Sequence, residues 1–228
     1  MIGIIGAMAV EVDGFEAIMT DKSYKTVSGI KYTVGKLWGK ETVVAVSGIG
    51  KVNAAICTQT MIMLYSPDFI INSGVAGGLD QSLNVLDAVV AEYVVQHDMD
   101  TSAVGDPVGF ISGLDMIKIP CDKKICKLLK DSAEESDIHV LTGTIASGDQ
   151  FVCSNERRKY IIETFNAYAC EMESAAIGHV CFKNNTPFCA IRSISDNADD
   201  NSHLSYTEFV NAAAGNLMNV MKNFYSRI

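Results

Sequence analysis

Three acidic segments of this 228-residue chain stand where proton-transfer chemistry would place them. Glu171-Met172-Glu173 lies between Ala169-Cys170 and Ser174-Ala175-Ala176-Ile177. These neighbours are small or apolar, and carboxylates rarely bury in such company unless paired or functional. Glu173 would face a site at a strand-to-helix junction, although the helix dipole alone also favours a first-turn Glu. Asp196 closes the run Ile191-Arg192-Ser193-Ile194-Ser195. A lone Asp there would serve a turn, but the C-terminal end of a buried strand is also where α/β sheets hold ligands. Glu11 follows Ala7-Met8-Ala9-Val10 and by itself reads as an ordinary helix-start acid. Brought together, such carboxylates would do acid–base work, one giving a proton and another taking one.

Two glycine-rich segments are candidates for ligand contact. Ser47-Gly48-Ile49-Gly50-Lys51-Val52 has the look of a phosphate loop. A Walker A loop needs Gly where Ala45 stands and Ser or Thr where Val52 stands, and a dinucleotide fingerprint needs Gly in place of Asn53. The segment therefore reads as a tight turn opening a helix, with a ligand loop as the alternative. Ser73-Gly74-Val75-Ala76-Gly77-Gly78 follows a buried run. Its glycines suit either close approach to a ligand or a strand-to-helix turn with positive φ. His97-Asp98-Met99-Asp100 and the group Asp196, Asp199, Asp200 and His203 contain metal-ligand types. Adjacent His97 and Asp98 would point opposite ways in a strand, so no metal is expected. No Gly-x-Ser-x-Gly elbow or evident Cys nucleophile is present.

The elements that must position these residues follow from periodicity. Strands are expected at 1–7, 69–72, 88–95, 138–146, 167–170 and 187–195. Helices are expected at 8–19, 51–65, 122–135, 154–164 and 172–184. Residues 24–47 alternate and break at Gly29, Gly35 and Gly39, a β-meander. Residues 97–118 read as a loop, and 197–203 as a polar loop. A capping box, Ser205-x-x-Glu208, predicts the start of the last helix. Strands alternating with helices indicate an α/β fold with a largely parallel sheet, mixed because of the meander. Residues 1–228 read as a single domain without linker or repeat.

Composition narrows the function. The net charge is −9 and no basic cluster exists, which disfavours nucleic acid and polyphosphate partners. Hydrophobic residues make up 48%, enough for a large core, yet no run approaches the ~20 apolar residues of a membrane helix. The seven cysteines include no C-x-x-C pair, so reduced core thiols in a cytoplasmic protein are expected. The apolar start lacks the basic leader of a signal peptide.

The ordered set Ile4-Ile5-Gly6-Ala7-Met8-x-x-Glu11, Ser47-Gly48-Ile49-Gly50-Lys51, Asn72-Ser73-Gly74-x-Ala76-Gly77-Gly78, Ser147-Gly148-Asp149-x-Phe151, Glu171-Met172-Glu173-x-Ala175 and Arg192-x-Ile194-Ser195-Asp196 resembles the 5′-methylthioadenosine/S-adenosylhomocysteine nucleosidases of the nucleoside phosphorylase superfamily. The resemblance runs almost the length of the chain. It implies a three-layer α/β/α sandwich, a homodimer, no metal or cofactor, and hydrolysis of the N-glycosidic bond of 5′-thio-substituted adenosines. By matching position, Asp196 would protonate the purine at N7 and Ser195 would orient it. Glu11 would hold and deprotonate the attacking water, helped by Arg192. Glu173 would bind the ribose hydroxyls with Met172 packed on the sugar. Phe151 would stack on adenine and the Val152 backbone would read its polar edge. Ile49, Val75, Ala76, Gly77 and Tyr206 complete the implied substrate contacts.

Three departures from the family bear on substrate selection. Val75 stands where many relatives carry Ser, Tyr206 where Phe is common, and the 101–106 loop lacks an aromatic. The preferred 5′ substituent is left open, with 5′-deoxyadenosine and aminodeoxyfutalosine among the variants. A purine nucleoside phosphorylase would need arginines around phosphate, and the matching places hold Asn72 and the Glu11 region. A non-catalytic nucleoside-binding protein would have no use for all three carboxylates. The loop at 97–110 carries Val104, Val108 and Phe110, followed by Ile111, and is expected at the dimer interface.

Overall fold

Two tight hairpins build one edge of the sheet. β2 (Thr20–Val27), β3 (Ile30–Leu37) and β4 (Lys40–Val46) are antiparallel neighbours. Ser28-Gly29 and Trp38-Gly39 join them, with φ values of 53°, 76°, 46° and 82°. Positive φ at both central residues is the type I′ geometry that matches strand twist. Gly35 breaks nothing: it lies inside β3, where a side chain would meet Thr20 O at 2.5 Å.

The computed structural model describes residues 1–200 and 202–228. β1 (Ile2–Gly6) lies between β4 and β5 (Phe69–Gly78), parallel to both. β10 (Phe188–Asp196) runs parallel to β5 on its other side. β6 (Ala88–Gln96) is antiparallel to β10 and parallel to β8 (Val140–Ser147), which is followed by β9 (Ala167–Glu171). β9 pairs back onto β5, so β5, β10, β6, β8 and β9 close into a ring from which β1, β4, β3 and β2 extend. The two-residue β7 (Ile119–Pro120) pairs with β6 just after the segment 97–118 that reads as a loop in the sequence.

Helices cover the sheet. α2 (Lys51–Tyr65) packs on α5 (Ser174–Lys183). α6 (Ser202–Arg227) packs on α1 (Ala9–Ile18) and α3 (Lys123–Glu134), while α4 (Asn155–Phe165) covers β8 and β9. The expected α/β/α arrangement with a mixed sheet is therefore found. The start of α6 differs from expectation. The helix begins at Ser202, where Ser202 Oγ accepts from the Asp199 amide at 2.6 Å. Ser205 thus lies one turn inside and does not cap it; Asn201 of the expected polar loop is outside the described residues.

β5 and β10 are buried along almost their whole length, as central parallel strands must be. Six cysteines are buried and Cys153 is exposed, all of them free thiols. The apolar side chains of the 97–111 region divide between solvent and core. Val104 is 82% exposed, but Ile111 is buried and Val108 packs against an inner cluster. Among the described residues no helix is long and apolar enough to cross a membrane.

Candidate active site

β5 does not turn at its glycines. Gly74, Gly77 and Gly78 stay extended within the strand, and none has positive φ. The reason is a close approach at Gly74, where an added Cβ would overlap Arg192 Nη1 and Glu11 Oε1. The turn reading of this segment is therefore wrong, and the crowding is tertiary.

Glu11 sits in the first turn of α1, buried. Its Oε2 accepts from the amides of Ala7 (2.7 Å) and Met8 (3.0 Å), and its Oε1 from the amide of Val75 (2.9 Å). Three backbone donors satisfy this carboxylate, which the sequence alone reads as a routine helix-start acid. At β10, the pairing register slips between Ile194 and Asp196. Such a bulge re-aims side chains, and here the successive residues Ser195 and Asp196 both line one cavity. Ser195 Oγ lies 2.8 Å from Asp196 Oδ2, and Asp196 Oδ1 accepts from the Ala198 amide at 2.9 Å.

β9 ends at Glu171, and Glu173 precedes the first turn of α5. Glu171 is the residue whose part sequence reasoning left unassigned. It accepts from Ser147 Oγ, from the amides of Glu173 (3.0 Å) and Ser174 (2.9 Å), and from Arg192 Nη2. Arg192 is fully buried and also donates to Asn72 Oδ1 and to Ser174 Oγ, the latter at 3.0 Å. Its Nη1 makes no hydrogen bond and lies 3.9 Å from Glu11 Oε1. Glu173 accepts from the Gly50 amide at 2.8 Å, and its Oε2 lies 3.8 Å from Arg192 Nη2. Burial first, and the neighbouring Glu171 charge second, push the Glu173 carboxyl up to about 8, against partial relief from Arg192. Burial thus favours the protonated form of Glu173.

These groups open into one cleft. Glu11, Glu173, Ser195 and Asp196 line it, with Val75, Ala76 and Gly77 from β5. Ile49 and Met172 also line it, as do Phe151 and Val152. Phe151 and Tyr206 meet edge to face at its mouth, centroids 5.5 Å apart, and Tyr206 Oη contacts Met8 Sδ at 3.1 Å. Arg192 lies behind the wall rather than on it. Sequence reasoning missed Ala7, Met8, Gln150, Cys170 and Glu171, which also line the cleft. The oddity of two near-adjacent acids at 171–173 was the available signal for Glu171. The segment at 47–52 is both a turn and a wall: Gly48 and Gly50 have φ of 86° and 96°, α2 follows, and Ile49 faces the cleft. His97 is buried against the Arg157 guanidinium, Nδ1 to Nη2 2.9 Å. Burial and then that charge pull its pKa down. Among the described residues no His, Cys, Asp and Glu cluster suits a metal ion.

A mixed sheet carrying carboxylates at the C-terminal ends of parallel strands, around one cleft, is one class of architecture. A sequence model of the phosphorylase superfamily matches residues 1–226. The 5′-methylthioadenosine/S-adenosylhomocysteine nucleosidase of Shewanella loihica is 40% identical over 211 residues, 92% of this chain and 91% of the relative. The crystal structure of a Helicobacter pylori MTAN mutant with 5′-methylthioadenosine in the active site superposes with a TM-score of 0.95 at 38% identity, covering 100% of this chain and 98% of that one. A structure described as the futalosine hydrolase of Helicobacter pylori strain 26695 has the same TM-score, 0.95, and identity, 38%, covering 100% and 97%. The chain belongs to the phosphorylase superfamily and, within it, to the family of 5′-methylthioadenosine/S-adenosylhomocysteine nucleosidases.

Proposed function

We propose that this chain, as a single domain, hydrolyses the N-glycosidic bond of 5′-methylthioadenosine and S-adenosylhomocysteine and releases adenine. One observation carries the reading. Glu11 is held by three amides beside the unpaired Arg192 Nη1, in the same cleft as Glu173 and Asp196. A water molecule bridging Glu11 Oε1 and Arg192 Nη1 would be fixed and activated there, because a 3.9 Å separation suits a shared water better than a direct contact. Glu11 takes its proton. Asp196, oriented by Ser195, gives a proton to N7, since adenine is a poor anionic leaving group. Glu173 hydrogen-bonds the ribose hydroxyls, Met172 packs on the sugar, Phe151 stacks on the base and the Val152 backbone reads its edge. The carboxylates stabilise the oxocarbenium-like sugar of the transition state.

The same carboxylates disfavour a phosphorylase. Phosphate would sit beside Glu11, and like charges about 4 Å apart repel by roughly 4 kcal/mol at an effective dielectric near 20. The reaction is tested by incubating each substrate with and without phosphate and scoring free adenine and sugar product. A ribose 1-phosphate product overturns the hydrolase reading. The panel includes 5′-deoxyadenosine and a futalosine-type substrate, because a solved relative carries the futalosine hydrolase name.

The reading extends to assembly and compartment. Val104 and the α2 residues Val52, Ile56 and Met63 are exposed apolar side chains, which supports a homodimer burying them. An active monomer in sedimentation at micromolar concentration would refute that. The buried free thiols support a reducing compartment, the cytoplasm; fractionation of the source cells checks it.

A further inference from the structure

Lys51, Asp98 and Asp149 lie outside the acid cluster and form a closed ring of hydrogen bonds. Lys51 opens α2, Asp98 follows the end of β6, and Asp149 follows the end of β8. The Lys51 ammonium donates to Asp98 Oδ1 at 2.7 Å and to Gln96 Oε1 at 3.1 Å. The Asp149 amide donates to the other Asp98 oxygen at 2.9 Å. The Asp149 carboxylate accepts from the Lys51 amide at 2.7 Å. Each of the three therefore holds the other two. The side chains of Lys51 and Asp98 are only 19% and 18% exposed, so salt and solvent screen the pair less than a surface one. Burial would raise the Asp98 carboxyl, yet Lys51 and the Asp149 amide hold it below its ordinary range.

The position of the ring gives it consequence. Ile49 and Gly50 immediately precede Lys51, and Gly50 donates to Glu173. Gln150, Phe151 and Val152 immediately follow Asp149, and all three line the cleft, as does Ile49. The ring thus ties together two loops that each supply a wall of the pocket. The loops also seat directly on one another, since a Cβ on Gly50 would lie 3.0 Å from Asp149 Oδ1. Loops alone hold a site less well than strands and helices do, and sub-ångström placement requires such outer support.

We propose that the Lys51–Asp98–Asp149 ring is a positioning device that sets the separation of the Ile49 and Phe151 loops and so the fit of the purine. The proposal deepens the nucleosidase reading and rests on it. None of the three touches the reacting atoms, so their loss acts on base binding before it acts on bond cleavage.

The test compares wild type with Asp98→Ala, Asp98→Asn, Lys51→Met and the Asp98→Ala/Lys51→Met double variant. Each is measured for kcat and KM on 5′-methylthioadenosine, for adenine Kd by titration, and for melting temperature. Asp98→Ala should raise KM and adenine Kd roughly tenfold, a charge-assisted hydrogen bond's worth of affinity, with kcat within about threefold of wild type. Lys51→Met should do the same, and the double variant should be no worse than the poorer single, because both break one ring. Asp98→Asn, which keeps an acceptor, should recover part of the loss. Should Asp98→Ala fail to fold, Asp98→Asn and Lys51→Met carry the comparison. Unchanged KM and Kd in folded variants overturn the proposal, and so does a fall in kcat at constant KM or independent multiplication of the two losses. A wild type that binds adenine but releases none sinks the nucleosidase reading alone, and the adenine Kd still decides the ring. A wild type that neither binds nor releases adenine overturns both.

Discussion

Replacing Asp196 by Asn separates the proton from everything else the residue does. In the folded chain Asp196 Oδ1 accepts from the Ala198 amide at 2.9 Å, and Oδ2 lies 2.8 Å from Ser195 Oγ. The Asn carbonyl keeps the first contact. Its NH2 faces Ser195 Oγ, which turns to accept, so the second contact survives as well. Volume is unchanged and no buried polar group is orphaned, so folding stability should move by less than ~1 kcal/mol. The adenine contact proposed for Phe151 and the ribose contact proposed for Glu173 would be untouched. What disappears is the acid, and losing general-acid catalysis costs on the order of 10² to 10⁴ in rate, about 3–5 kcal/mol of barrier. Single-turnover release of adenine from 5′-methylthioadenosine should therefore collapse. Affinity for a non-hydrolysable analogue and the melting temperature should hardly change. Asp199→Asn, one short turn further on, should be near wild type. If Asp196→Asn retains more than about a tenth of wild-type turnover, or if Asp199→Asn is the variant that dies, the acid has been assigned wrongly.

Glu173 links the site to pH. Its carboxyl is raised from 4.5 to about 8 in the folded chain, so the folded state keeps a proton that the unfolded chain releases. Stability should then fall as pH rises from about 5 to about 8 and level off above. Glu173→Gln removes that dependence, so its advantage over wild type in urea unfolding should widen across the same interval; a constant difference contradicts it. Gly74→Ala places a methyl against Arg192 Nη1 and 2.8 Å from Glu11 Cδ. The extended backbone tolerates Ala, so the cost is overpacking, ~1–3 kcal/mol, and displacement of Glu11 should lower kcat by roughly 10²-fold. Unfolding curves and steady-state kinetics of one preparation check both, and normal kcat would refute the crowding.

The parts of this fold that were legible are those fixed by near neighbours. α2 spans Lys51–Tyr65, as its periodicity predicts, because Gly48 and Gly50 turn the chain before it and Ser66, with φ of 45°, ends it. Gly29 and Gly39 announce the hairpins for the same local reason. What the local sequence leaves open or gets wrong is decided by tertiary contacts. Ser73–Gly78 suits a ligand contact or a turn alike, and the glycine at 74 answers to Arg192 and Glu11, which arrive from other elements. Ser205 and Glu208 spell a capping box, but the contact of Ser202 with Asp199 starts the helix earlier. Glu171 was visible as an odd acid, but its partners Ser147 and Arg192 are 24 and 21 residues away. Lys51 and Asp98 are 47 apart, and no local pattern pairs them.

The placement of Arg192 decides what the site can accept. Glu11, Glu171 and Glu173 surround one fully buried guanidinium, and three carboxylates beside one cation cannot all ionise cheaply. A proton held on Glu173 relieves part of the excess. The guanidinium spends Nη2 on Glu171, Asn72 and Ser174 and leaves Nη1 beside Glu11. It therefore presents no outward fork to an anion, as phosphate binding would require. Carboxylates along the cleft wall would favour charge developing on a sugar becoming cationic and disfavour a phosphate dianion approaching it. Arg192 thus acts as the counter-charge that lets these acids sit together.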